Sequence, residues 1–291
     1  MAQTFGGGGA NNSYQVGVGQ VGPKLGLYKE ESVQSSELGL PLRFSDGRVY
    51  RYTHFLTSLT VGKLGAQDIS ATGTASLDAA ICDSAGTAKD TYDSEDNEIF
   101  VFDSDVFPTT VAANQFAGGY FHITDAGGEG YQYRISASAA VATAGILKLT
   151  LYDKLELGID SETSYQITGN PYRNVIIASA GTDAIVSGLT ARSISTANYY
   201  GWLQTWGVGT VLMDETAGTV AKGTIATLSD GVNGAAQPIG GGFSSTLNSE
   251  TVVTTDLVLE TTFFTTEPII GFFLNAAVDT EYGPIFLQIC P

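Results

Sequence analysis

Residues 145–153 read GILKLTLYD, and the order of side chains in this run decides the fold class. Leu147, Leu149 and Leu151 alternate with Ile146, Lys148, Thr150 and Tyr152. Successive side chains of an extended chain point to opposite faces, so the three leucines share one face while Lys148, Thr150 and Tyr152 share the other. A helix would spread the same residues around its circumference. The run therefore reads as a strand with one face against a core. The same period of two recurs in IFVFD (99–103), GGYFHITD (118–125), GYQYRIS (130–136) and SYQITG (164–169), with turn clusters such as Asp125-Ala126-Gly127-Gly128 between them.

Outward from this centre the pattern holds in both directions. LGLPLRFSDGRVYRYTHFL (38–56) places the turn Ser45-Asp46-Gly47 between two alternating runs, a hairpin signal. On the C-terminal side, ANYYGWLQTWGVGTVLMD (197–214) reads as a strand in which Trp202, Gln204 and Trp206 share a face, the indoles packed half-buried. IIGFFLNAAVDTEYGPIFLQIC (269–290) closes the chain as a second hairpin. The stretch ASLDAAICD (75–83) reads as a short helix, and no segment has helical periodicity beyond about two turns. Residues 1–24 hold four consecutive glycines and only scattered apolar side chains, so they read as an arm that gains order where something accepts it. The expected fold is mainly β: antiparallel sandwich or barrel-like domains with an extended N-terminal arm and little helix. The expected divisions are an arm over 1–24, a β-rich domain over 25–178 and a C-terminal β-rich domain over 179–291.

The composition narrows function. Charged residues make up 15% of the 291, against roughly 25% in average globular proteins. The surface must therefore be built largely from Thr, Ser, Asn, Gln and the 36 Gly. The net charge of −17 opposes nucleic-acid binding, which needs clustered Lys and Arg to neutralise phosphates. The charge is also uneven. Five basic and four acidic residues in the first 51 positions give +1, and eight basic against 26 acidic in the rest give −18. No run of about 18 uncharged apolar residues is present, so no membrane-spanning helix and no membrane partner are expected. MAQTFGGGGANNS lacks the basic and apolar regions of a secretory signal.

Catalytic chemistry has little to stand on. The only histidines, His54 and His122, sit inside strand patterns, where structural roles are commonest. No HExxH, GxSxG, GxxxxGK[ST] or CxxC occurs. Cys82 and Cys290 make no metal or redox motif. Six acids lie between Asp83 and Glu98, but without the ligand spacing of a calcium loop, so a solvated loop is the plainer reading. No enzyme, cofactor or metal is expected.

Two longer runs resemble a known family. FAGGYFHITDAGGEGYQYRISASAAV and GILKLTLYDKLELGIDSETSYQITGNPYRNVII look like the central part of the head decoration (cement) proteins of tailed phages, with their strand pair, their "LYD" strand and their "NPY" turn. YYGWLQTWGVGTVLMDETAGTVAKGTIATLSDGV and GFFLNAAVDTEYGPIFLQI are similar to the C-terminal β-domain of the same proteins, and LGLPLRFSDGRVYRYTHF to their start. The resemblance implies a virion protein, made in the host cytoplasm, that binds the outer face of the head. Its partners would be the major capsid protein and copies of itself, as a trimer. Candidate contact residues are Phe5, Tyr14, Val16 and Val18 of the arm and Arg48 and Tyr50 of the hairpin. Two alternatives stay open: a fibre or glycan-binding module using Trp202 and Trp206 as a sugar platform, and a polysaccharide hydrolase using an Asp/Glu pair.

Overall fold

The computed structural model describes residues 14–15, 26–68, 75–77, 81–82, 91–102, 111–141, 145–180, 185–215, 220–239, 268–276 and 278–291, with the backbone alone at 14–15, 75–77, 81–82 and 102. Among these residues every regular element is a β-strand. In chain order they are β1 (Tyr14–Gln15), β2 (Pro41–Phe44), β3 (Val49–Phe55), β4 (Leu64–Gln67), β5 (Ala75–Leu77), β6 (Ile81–Cys82) and β7 (Thr91–Tyr92). There follow β8 (Glu98–Phe102), β9 (Tyr120–Asp125), β10 (Gln132–Ser138), β11 (Ile146–Leu151), β12 (Ile159–Asp160) and β13 (Ser164–Thr168). The last seven are β14 (Val175–Ile177), β15 (Val186–Thr190), β16 (Tyr199–Leu212), β17 (Ile225–Leu228), β18 (Ala236–Pro238), β19 (Ile269–Phe273) and β20 (Tyr282–Gln288).

The fold is mainly β, but the chain is not divided at 178/179. One compact unit comprises residues 1–67 and 175–291, and the other is residues 68–174, inserted between them. A composition reading follows the chain linearly and has no means of seeing that β4 and β14, on either side of the insert, pair antiparallel with each other. Within the insert, the Asp68 amide donates to the Asn174 carbonyl at 3.1 Å, so its two ends lie side by side.

The insert is a seven-stranded sheet in the order β5-β13-β9-β10-β11-β8-β6, with a separate β12–β7 ribbon. Its core bears out the alternation in GILKLTLYD: Leu147, Leu149 and Leu151 are buried among Ile99, Val101, Phe121, Ile135 and Tyr165. The short helix read over 75–83 is corrected to two strand pieces. Ala75–Leu77 pairs with β13 and Ile81–Cys82 with β8, with residues 78–80 and 83 outside the described residues. Alanine's helix preference is worth only tenths of a kcal/mol per residue, and pairing with a neighbouring strand overrides it.

The discontinuous unit is an eleven-stranded sheet ordered β1-β2-β3-β14-β4-β15-β16-β20-β19-β17-β18. A further β3–β16 pairing closes five of these strands into a small ring, filled by Phe55, Leu59, Val175, Ile194 and Leu203. The long strand β16 makes this arrangement. Its first half pairs with β3 and its second half with β20, and the register on β3 shifts between Gln204 and Trp206. Gly207 follows at φ +88°, and a Cβ there would meet Arg48 Cα at 3.1 Å, so the strand turns out of the ring where only glycine fits. Beyond it the sheet continues over a second core of Leu64, Leu189, Val211, Ile285, Leu287 and Phe273.

The bulge also corrects the reading of the tryptophans. Strict alternation puts Trp202, Gln204 and Trp206 on one face, but the extra residue interrupts the period. Trp202 is 2% exposed and packs edge-on against Tyr52 at 5.5 Å, whereas Trp206 stays half-buried on the far side of the bulge.

Candidate functional site

Both sequence-predicted hairpins form: β2–β3 around the Ser45-Asp46-Gly47 turn, and β19–β20 near the C-terminus. The first of them carries two of the candidate contact residues. Tyr50 is only 2% exposed, with its hydroxyl accepting from Arg48 Nη1 at 3.0 Å. Burial pushes the Tyr50 phenol up to about 12, against the opposing pull of the Arg48 charge. Arg48 is half-buried and held at two nitrogens, since Nε also donates to Asp46 Oδ2 at 2.6 Å. Its guanidinium lies 5.2 Å from the centre of the Phe44 ring. Burial alone would raise the Asp46 carboxyl; hydrogen bonds from the Arg48 amide and side chain outweigh it and hold the pKa below the usual value.

Of the arm residues, Phe5, Val16 and Val18 lie outside the described residues. Tyr14 lies in β1, whose backbone pairs antiparallel with β2 in the register Tyr14↔Phe44 and Gln15↔Arg43. Residues 14–15 of the arm thus form the outermost strand of the eleven-stranded sheet, and among the described residues no strand pairs with the other side of β1. The segment that follows is stapled down by acids. Glu31 accepts from the Tyr52 and Ser35 hydroxyls, and Glu30 accepts from the Ser195 amide at 2.8 Å and hydroxyl at 2.6 Å. Burial pushes the Glu30 carboxyl up, but the Ser195 hydrogen bonds and the Arg192 charge outweigh it and the net shift is downward.

Next to the Arg48 clamp lies a feature that the sequence reading missed. Trp206, Gly207, Val208 and Phe286 join Asp46, Gly47 and Arg48 in lining a cleft of about 350 Å³. From there an apolar row crosses four strands in register. Val208 pairs with Phe286, Phe286 with Phe272, and Phe272 with Ile225. The two phenylalanine rings stack at 5.2 Å and 10°, and Trp206 meets Phe286 edge-on at 6.0 Å. The row is on the outer face: Val208 is 52% and Ile225 43% exposed, while the alternate residues Ile285, Leu287 and Phe273 are fully buried in the core. Its signal was present in IIGFF and YGPIFLQ, which are apolar at both parities, the pattern of a strand covered on both faces.

Among the described residues no three His, Cys, Asp or Glu side chains gather around one point. Asp214 is fully buried, but the Ser229 hydroxyl that donates to it at 2.5 Å also accepts the Gly231 and Val232 amides, which commits the pair to holding a turn. Cys290 carries a free thiol beside Arg51 Nη2, and His54 packs against Tyr200 at 4.9 Å.

His122 is hydrogen-bonded to Thr168 Oγ1, and burial lowers its pKa. A histidine depressed in the folded state binds its proton more readily when unfolded, so stability is present above about pH 6.5 and falls as pH drops toward the folded value. The inserted unit should therefore unfold more easily in denaturant as the pH falls below about 6.5. His122→Gln should flatten that slope, and an unchanged slope in the variant would assign the pH dependence elsewhere.

Comparison with protein-family models, with curated proteins and with solved structures finds no match for this chain.

Proposed function

We propose that this chain is a non-enzymatic virion structural protein, a cement protein that attaches to the outer surface of a phage head and bridges neighbouring capsomers, with copies of itself as further partners. The observation that carries the reading is the edge of the eleven-stranded sheet. The N-terminal arm adds itself to β2 as a two-residue strand, and no strand among the described residues pairs with its outer backbone edge. An open edge presents unpaired N–H and C=O groups with which a strand from another chain can form main-chain hydrogen bonds. The order of motifs shared with head decoration proteins supports the same reading, as does the division of charge: a near-neutral N-terminal segment for attachment and a strongly anionic remainder for solvent. Tyr50, buried in its own chain, contributes by shaping the hairpin, so attachment rests on the arm and on exposed side chains such as Tyr28 and Val33.

Deleting residues 1–24 removes β1 but none of the described core. The truncated protein should melt within a few degrees of the full-length chain yet fail to co-sediment with undecorated phage heads. Co-sedimentation at full-length levels would remove the arm and its edge from the attachment surface.

A further inference from the structure

We propose that the outer face running from the Asp46–Arg48 clamp across Trp206 and Phe286 to Phe272 is a binding site for a neutral glycan. Three features of the face select that ligand class.

The first is shape. Strands lie about 4.8 Å apart, so Val208, Phe286, Phe272 and Ile225 set one apolar side chain on each of four strands along a line of about 14 Å. A linear chain of pyranose rings lays its C–H faces along such a line, each ring over an apolar contact. Aromatic faces carry negative quadrupole density that attracts those slightly positive hydrogens.

The second is the polar equipment at one end. Gln288 is the direct cross-strand partner of Trp206 and is exposed. Among the described residues no partner takes up the Gln288 amide, the Trp206 indole N–H or Arg48 Nη2, the Arg48 bonds being made through Nε and Nη1. Arg48 is already immobilised through its other two nitrogens, so presenting Nη2 costs little further entropy. Donors fixed beside an acceptor carboxylate, Asp46, match adjacent sugar hydroxyls, each of which both donates and accepts.

The third is charge. Asp46 and Arg48 cancel locally in a chain of net charge −17, which disfavours an acidic polysaccharide by long-range repulsion and leaves a neutral one unaffected. Of the two tryptophans that the sequence offers as a sugar platform, the buried Trp202 is out of reach, and the site is built on Trp206 alone. The apolar row lies on β16, β20, β19 and β17 and only the Arg48 end, over Phe44, approaches the strand that pairs with β1, so glycan binding and head attachment are separable by experiment.

The test is titration of the full-length protein with chitohexaose, maltoheptaose and cellohexaose, and with an oligogalacturonate as the acidic comparison, by calorimetry and tryptophan emission. At least one neutral oligosaccharide should bind with a dissociation constant in the micromolar to millimolar range and shift the emission. Trp206→Phe should abolish the emission shift and weaken binding at least tenfold. Gln288→Ala, at an exposed position that leaves folding intact, should weaken it several-fold, and deletion of residues 1–24 should leave it unchanged. The proposal is overturned if no neutral oligosaccharide binds in the millimolar range, if the acidic one is preferred, or if both point variants bind as the parent does. It is equally overturned if the sugar-free protein self-associates and Val208→Glu abolishes that association, which would make the face a contact between copies.

Discussion

Gly271→Ala should be among the most damaging single substitutions in the discontinuous unit, costing at least about 3 kcal/mol. Gly271 sits in β19 at φ +151°, a region essentially closed to other residues and worth about 1–3 kcal/mol of strain on its own. A Cβ there would also lie 1.9 Å from the Phe286 carbonyl oxygen and 2.9 Å from its carbonyl carbon. Both are backbone atoms of the paired strand β20, so no side-chain rotation relieves the clash. The strands must separate, and the Phe272–Phe286 stack separates with them. Gly223→Ala is the control. It has φ +84° and nothing within 4 Å of an added Cβ, so it pays only the left-handed penalty of about 1–2 kcal/mol. Equal losses for the two variants in denaturant melts would show that β20 yields to the added methyl group.

Trp202→Ala comes next, with an expected loss of about 3–5 kcal/mol, the usual range for removing a fully buried large aromatic side chain. At roughly 2–4 °C per kcal/mol, this lowers the melting temperature of the unit by about 6–20 °C. The indole packs edge-on against Tyr52, which stacks on Tyr200 at 5.8 Å and 8° and donates to Glu31. The cavity would therefore loosen Tyr52, and with it the two hydrogen bonds, from the Ser35 amide and to Glu31, by which its hydroxyl ties the 31–35 stretch to β3. Proteolysis near residues 31–35 should accelerate in the variant. A melting temperature within 3 °C of the parent would mean that the neighbouring rings close over the gap.

The strands of the insert were legible because each has one buried and one open face. Leu147, Leu149 and Leu151 alternate with partly exposed side chains, and the period alone reveals them. The 75–83 stretch was misread because its pieces are two and three residues long, too short to show a period, and they take strand geometry only from β13 and β8. For the site, the Ser45-Asp46-Gly47 turn pointed to Arg48 and Tyr50 but not to their burial. The apolar row escaped notice because Ile225, Phe272, Phe286 and Val208 come from four strands, and what joins them is register.

By itself, the amino-acid order determined the mainly β class, the two hairpins, the three-leucine face and the anionic surface. Each of these follows from side-chain alternation, turn chemistry or composition within about ten residues, where local physics suffices. Tertiary structure alone decided three things: that residues 68–174 form an inserted unit, that β16 leaves its ring at a bulge, and that Trp202 is core while Trp206 lines a cleft. These depend on pairings between strands far apart in the chain, such as β4 with β14 and β3 with β16. A one-residue shift in such a pairing reverses which face a side chain occupies, and no local pattern within a strand encodes it.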